Sequence, residues 1–336
     1  MRVSITDVAR HAGVTPAVVS RVLNGDPKLQ VRAETRDRVL AAARELDYTP
    51  SHAARALRHN RADALGLAVH DVANPLYGEI IVGAQKAAAD AGYVLLLADV
   101  DGLARGDETF RRAVHGGAID GLLLQRAGTA SDRKIIDTAT ARIPTVLLND
   151  RSTTHASVAL DDVAGSRLAT QHLIELGHTR IGHLRVGGTQ RSGSRVRGWR
   201  DALTRAGVTA DPGWLAAGGH TVESGHAGMR ELLATPNRPT AVVGGNVLAA
   251  IGALTALREA GLHVPRDLSV VAFHDVRYAA HLVPPLTTVA MPLRELGVAA
   301  VTLLLERLDG SGPRQVVVRD PSPTLIRRGS TAPPPS

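Results

Sequence analysis

The sequence predicts a small all-α head followed by a two-lobed α/β body whose parallel sheets are doubly wound. Three observations carry that expectation. The stretch "ITDVARHAGVTPAVVSRVLNG" (residues 5–25) holds two short helical patterns separated by a Gly-Val-Thr turn. Charge is uneven: residues 1–62 carry eleven Lys and Arg against six Asp and Glu, so most of the net +7 of this 336-residue chain lies in its opening segment. From Leu65 the grammar changes, and short apolar runs alternate with helical stretches, the rhythm of βα units.

In the head, Thr6 can cap a first helix, with Asp7 against its positive end. Val8, Ala9 and Ala12 give that helix an apolar side, and Gly13 can end it with a left-handed residue. Thr15 caps a second helix with Pro16 at its first position, where a missing N–H costs nothing. Val19, Val22 and Leu23 recur at the spacing of one buried face. The other face carries Pro16, Ala17, Ser20, Arg21 and Asn24, and the helix stops at Asn24-Gly25. A third helix is expected from Glu34 to Tyr48, with Val39, Leu40, Ala43 and Leu46 as its apolar side.

The turn between the first two helices is short, so they cross steeply and leave the outer face of the second one open. This is the geometry in which a recognition helix enters a DNA major groove. Arg21 suits bidentate bonding to guanine, and Pro16 and Ala17 offer apolar contact to a thymine methyl. A generic two-helix packing motif leaves the same pattern. The basic balance of the segment adds the electrostatic outline of a nucleic-acid binder.

In the body, "ALGLAVHD" reads as a buried strand, "YGEIIVGAQKAAADAG" as a helix and "YVLLLADV" as a strand, followed by strands in "GAIDGLLLQ" and "IPTVLLND". A second round starts after Asp162. It runs through "SRLATQHLIELG", "TRIGHLRV", "SRVRGWRDALTRAG", "PTAVVGGN", "VLAAIGALTALREAG" and "LSVVAF". The tail "GSTAPPPS" has the composition of a disordered segment.

Composition excludes several classes. The chain is too long for one ordinary core, so two or three domains are expected. With no cysteine there are no disulfides, thiolate metal sites or cysteine nucleophiles. No segment reaches the roughly 20 apolar residues of a membrane span, and "MRVSITDVAR" has no apolar run of signal-peptide length, so the cytoplasm is the expected compartment. There is no GxSxG and no P-loop lysine motif, "GGTQRSGSR" lacks dinucleotide-fingerprint spacing, and the histidines do not pair at ligand spacing. No enzyme activity, cofactor or metal is expected.

A series of motifs spaced through the chain resembles those of the lactose/galactose-repressor (LacI/GalR) family of transcriptional regulators. The likeness runs through "ITDVARHAGVTPAVVSRVLNG", "ETRDRVLAAARELDYTPSHAARALR", "LGLAVHDVANPLYGEI", "GHTRIGHL", "SRVRGWRDAL" and "VPPLTTV", roughly residues 4–326. The resemblance implies a helix-turn-helix DNA-binding head over 1–49, a hinge over 50–61 and a periplasmic-binding-protein-like effector and dimerisation domain over 62–326. The N-lobe would take about 62–162 plus 293–326 and the C-lobe about 163–292, with three crossings between them. The family's base-choosing positions fall on Pro16, Ala17 and Arg21, supported by Ser20 and Asn24. Val18 departs from the usual Thr, and Arg32 stands where Ser is common, a change that adds a candidate phosphate contact. "SHAARALRHN" resembles the family's hinge helix, with Leu57 at the wedge that enters the minor groove and Arg55 and Arg58 placed to meet phosphates; the alternative is a disordered linker.

Ligands of such lobes bind in the cleft at the carboxyl ends of the strands. The residues there are Tyr77, Gln125, Asn149, Arg195, His220, Asn246 and His274, the inventory for hydrogen bonding to hydroxyls. Resemblance puts Arg195 at the family's main ligand-holding Arg. The common "GFDD" reads "AFHD" here, so His274 replaces an Asp, and the common "ND" reads Asn246-Val247. Fewer carboxylates and more histidine favour anionic or acceptor-rich ligands over a plain neutral sugar. The implied protein is a dimeric regulator, a repressor of a palindromic operator under a carbohydrate-related effector. No C-terminal heptad run is present to build a coiled-coil tetramer. The alternative is a solute-binding protein of the same two-lobed fold.

Overall fold

A computed structural model of the chain describes residues 3–24, 26, 28–48, 61–100, 114, 116–126, 130–187 and 190–335. The chain divides into two compact units, Met1–Asp63 and Ala64–Ser336.

Among the described residues the head holds three helices, α1 (Ile5–Ala12), α2 (Pro16–Leu23) and α3 (Ala33–Glu45). Ser4, not Thr6, caps α1. Ser4 and Asp7 form a reciprocal box: Asp7 N donates to Ser4 Oγ at 3.4 Å and Ser4 N donates to Asp7 Oδ2 at 3.0 Å. Thr6 has Ala9 three residues on, which cannot return the bond, so the helix starts one residue before it. The Ser4 hydrogen bonds hold the Asp7 carboxyl below its usual pKa. Gly13 ends α1 at φ +65°, as its position predicts. Val8, Ala9, Ala12, Val19, Val22, Val39, Ala42 and Ala43 form the core. Helix α3 stops at Glu45 rather than Tyr48, and Leu40, expected inside, is 37% exposed. Ala42 takes its place, because Val39, Ala42 and Ala43 share the i, i+3, i+4 face that meets α1 and α2.

Among its described residues the body holds two six-stranded sheets. The N-lobe contains β1 (Ala64–Val69), α4 (Leu76–Asp90), β2 (Val94–Asp99), β3 (Gly121–Gln125), α5 (Ala130–Thr140), β4 (Thr145–Leu148) and β5 (Ser157–Leu160). The C-lobe follows with α6 (Asp162–Glu175), β6 (Ile181–Arg185), α7 (Gln190–Arg205), β7 (Leu215–Ala217), α8 (Val222–Leu233), β8 (Ala241–Gly244), α9 (Val247–Glu259), β9 (Ser269–Phe273) and β10 (Thr287–Ala290). The chain then returns to the N-lobe for α10 (Leu293–Leu308) and β11 (Gln315–Val318), and crosses again to β12 (Thr324–Ile326). The sheet orders are β11-β5-β4-β3-β1-β2 and β12-β10-β9-β8-β6-β7. All pairings are parallel except β12 on β10. The three crossings that the resemblance implies are present, after β5, after β10 and after β11.

Two expectations about the chain's end are corrected. Residues 324–326 belong to the C-lobe sheet, not to the N-lobe. The segment 327–335, expected to be disordered, folds onto the C-lobe. Ser330 is fully buried: its Oγ donates to Val270 O at 2.6 Å and accepts from Thr287 N at 2.8 Å, while Val270 N donates to Ser330 O at 2.9 Å. Beyond it, Ala332 N donates to Ser269 Oγ at 3.0 Å and Ala332 O meets His178 Nε2 at 2.9 Å. A polar, proline-rich composition lowers the gain from apolar burial. Here the tail's backbone groups find partners at the starts of β9 and β10 instead, satisfying both sides.

Helix α10 packs against α4 at two glycines. An added Cβ on Gly83 would lie 2.0 Å from Arg294 O, and one on Gly297 2.2 Å from Ile80 O. The N-lobe helices therefore touch backbone to backbone, which fixes the cleft-facing end of α4, including Leu76 and Tyr77.

Candidate nucleic-acid interface and effector cleft

In the head, Thr15 caps α2, its Oγ1 accepting from Val18 N at 3.4 Å, and Pro16 follows at the first helical position. Val19 and Val22 face inward; Thr15, Pro16, Ala17 and Asn24 are exposed, and Ser20 and Arg21 half-exposed. The outer face therefore presents the residue set expected of it. Asn24 folds back, Nδ2 donating to Ser20 O at 2.7 Å. Arg21 is not loose: its Nε donates to Asp26 Oδ2 at 2.8 Å. Arg32 occupies the exposed N-cap of α3 without a capping bond of its own. Thr6 lies exposed in the first turn of α1. Arg55, Leu57 and Arg58 lie outside the described residues.

In the body, the carboxyl ends of the strands converge on a small chamber lined by Asn74, Leu76, Tyr77, Gln125, Val186, Arg195, His220, Asn246, Val247 and His274. Six of the seven residues expected at the cleft meet there. The seventh, Asn149, does not line it. It is buried at the end of β4 with φ +51°, and neither atom of its amide has a hydrogen-bond partner. The chamber's volume is about 20 Å³, room for about one water molecule. Both lobes contribute walls, so this is a closed cleft.

Arg195, 3% exposed, is the centre of the C-lobe wall. Its Nε donates to Asp162 Oδ1 at 3.1 Å, Nη1 donates to Gly245 O, and Nη2 lies 3.0 Å from His274 Nε2. Its guanidinium lies 4.2 Å from the ring centroid of Phe273, a cation–π arrangement. A guanidinium has only donors, so His274 Nε2 is the acceptor and the histidine's proton sits on Nδ1. His274 reaches this pose with φ +70° at the end of β9. On the N-lobe wall, Tyr77 O–H donates to Gln125 Oε1, which also accepts from His70 N at 3.3 Å. Asn246 lines the chamber but also serves the fold: Oδ1 caps α9 through Ala249 N at 2.8 Å and Nδ2 donates to Gly219 O at 2.9 Å.

Among the described residues no Asp or Glu lines the chamber. Asp162 is paired with Arg195, and Asp150 with Arg126 through two contacts, one at 2.7 Å. Asp275 turns away to Arg328 Nη1 at 2.8 Å and accepts from Thr288 Oγ1 at 2.6 Å. The result is a polar pocket, and each of these three acids already has an arginine partner. Sequence reasoning missed Asn74 and Asp162. The Asn-Pro before α4 and the Asp-Asp at the start of α6 were the available signals, since both mark helix entries at the strand ends.

A helical head whose second helix has an open outer face, joined to a two-lobed body with polar side chains gathered in a closed cleft at its strand ends, defines a ligand-regulated DNA-binding protein. Residues 4–51 match the lacI family of bacterial regulatory proteins, and residues 170–331 match a periplasmic binding protein-like domain. The chain is 35% identical over 334 residues to the ribose operon repressor of Escherichia coli (strain K12), spanning 97% of this chain and 99% of that one. It is 32% identical over 330 residues to the HTH-type transcriptional repressor PurR of Photobacterium profundum, spanning 97% and 98%. Among solved structures, the lac repressor dimer bound to operator and the anti-inducer ONPF superposes with a TM-score of 0.80 at 27% identity, covering 99% of this chain and 100% of that one. The chain belongs to the lacI family of bacterial regulatory proteins. It is a DNA-binding transcriptional regulator rather than an enzyme, and the head match removes the solute-binding alternative. Among the described residues no helix is long and apolar enough to cross a membrane.

Proposed function

We propose that the protein is a homodimeric, cytoplasmic repressor that reads a palindromic operator through α2 and releases or grips it according to a small carbohydrate-related metabolite in the cleft. Pro16, Ala17 and Arg21 contact bases, with Ser20 and Asn24 supporting them and Thr6, Thr15 and Arg32 at the phosphates. Arg55, Leu57 and Arg58 of the hinge complete the contact at the operator's centre. Two heads match the two half-sites of a palindrome. An apolar groove on the C-lobe, with Ile251, Leu254, Leu282 and the 95% exposed Val283, offers surface for self-association. The lac repressor relative was crystallised as a dimer on its operator.

The observation that carries the effector reading is the chamber beside Arg195, which no Asp or Glu of the described residues lines. An ordinary sugar site uses carboxylates to accept from pairs of hydroxyls. Here the groups at hand are amide, phenol, imidazole and guanidinium, which suit a ligand rich in acceptors, such as a phosphorylated or carboxylated sugar. Tyr77, Gln125, Arg195, His220, Asn246 and His274 hold it, and Asn149 joins them when the lobes move. Calorimetry on a panel of neutral sugars and their phosphate and acid derivatives tests the reading. The anionic members are expected to bind at least about tenfold more tightly, a difference of about 1.4 kcal/mol. Replacing His274→Asp is expected to invert the order. Tight binding of an unmodified neutral sugar by the unaltered chain would sink it.

A further inference from the structure

We infer that Asp26 is a positioning residue that presents Arg21 to a base. The inference rests on the reading of Arg21 as a base contact. Asp26 follows α2, and its carboxylate is fixed at both ends. Oδ2 accepts from Arg21 Nε at 2.8 Å, and Oδ1 accepts from the backbone N–H of Lys28 at 2.9 Å. Asp26 N donates to Arg21 O at 3.0 Å. Helix end and loop are thus closed into a small ring of bonds, with the guanidinium as one member.

The choice of nitrogen matters. An Arg held through Nε keeps the edge formed by Nη1 and Nη2 for a second, parallel pair of acceptors. Neither terminal nitrogen of Arg21 has a hydrogen-bond partner among the described residues, and the side chain is 40% exposed. Guanine presents O6 and N7 as such a pair in the major groove. Ordering a long side chain at an interface opposes binding. A carboxylate tied to the backbone orders Arg21 in advance and aims the unpaired edge outward.

Electrostatics alone predicts something different. A carboxylate near the phosphates repels every duplex alike, so removing it raises affinity without regard to sequence. Removing a positioning group lowers discrimination at one base pair and leaves non-specific binding intact or stronger.

The test uses the full chain, a duplex selected by it from a randomised palindromic pool, all single-base variants of that duplex, and a scrambled duplex. Asp26→Ala is expected to reduce discrimination at the Arg21 base pair by roughly tenfold, with binding to the scrambled duplex unchanged or raised. Asp26→Asn keeps the shape and the Lys28 bond with a neutral acceptor, and is expected to lose less. With Arg21→Ala already in place, Asp26→Ala is expected to change discrimination no further, since the two act as one unit. A uniform change over all duplexes, or the same loss with Arg21 absent, overturns the inference. If Asp26→Ala does not fold, Asp26→Asn decides by the same criterion. A loss on Arg21→Ala without one on either Asp26 variant removes only the positioning role; full discrimination after Arg21→Ala removes the base contact and the positioning role together.

Discussion

His183 sits on β6 with neither ring nitrogen hydrogen-bonded, edge-on to Trp199 at 6.0 Å between ring centroids. Burial, reinforced by the charge of Arg195, pushes its pKa down to about 3. In the unfolded chain the group titrates near 6.5. Between those values the unfolded chain binds a proton that the native one refuses, so stability falls as pH drops from about 6.5 toward about 3. Because the ring makes no hydrogen bond, an apolar substitute leaves nothing unpaired. His183→Leu is therefore expected to be neutral or stabilising at pH 7 and to flatten the acid limb by a few kcal/mol, which calorimetric melting at stepped pH will show. An unchanged acid limb would count against it. Burial also lowers the pKa of His172 and His178, and both add to the slope that remains. At this scale, legibility followed position. Tyr77, Gln125, His220, Asn246 and His274 stood in the sequence at strand ends, where topology puts a cleft. Asp162 did not stand out, because its pairing with Arg195 needs α6 and α7 side by side. Asn149 shows the reverse: the right strand end, with a side chain that the closed cleft leaves behind the wall.

Helix by helix and strand by strand, the regular elements that the pattern marked are present in the right order, since long apolar faces and buried strands leave strong periodic signals. The short strands β5, β7, β10, β11 and β12 carry four residues or fewer each. Their existence depends on a neighbour far along the chain: β11 pairs with β5, and β12 with β10. The order of the tail is invisible in its composition for the same reason, because its partners Ser269, Val270 and Thr287 lie 43 to 63 residues upstream. The α4–α10 crossing gives this scale its prediction. Gly297→Ala drives a methyl into Ile80 O on a helix whose backbone cannot retreat. A loss of about 1–3 kcal/mol is expected, read as a lower denaturation midpoint. Gly78, with open space around it, is the control: an added methyl there meets nothing within 4 Å.

Over the whole molecule, charge and architecture divide the labour. Recognition of a polyanion falls to a basic head, and sensing falls to a nearly neutral body whose chain passes three times between its lobes. Those passages make lobe motion a movement of the entire body, so an effector has a two-state element to bias, with a coupling of typically 1–3 kcal/mol. The chamber's size bears on how quickly that can happen. A space of about 20 Å³ admits no metabolite until the walls part. The rate at which ligand is captured is then capped by spontaneous opening, however much ligand is supplied. Stopped-flow traces of Trp214 or Trp199 fluorescence are expected to level off with rising concentration, and a rate that climbs linearly without limit would mean that the doorway stands open. A cell carrying this protein would accordingly respond to the amount of its metabolite with a lag set by the protein and not by the supply.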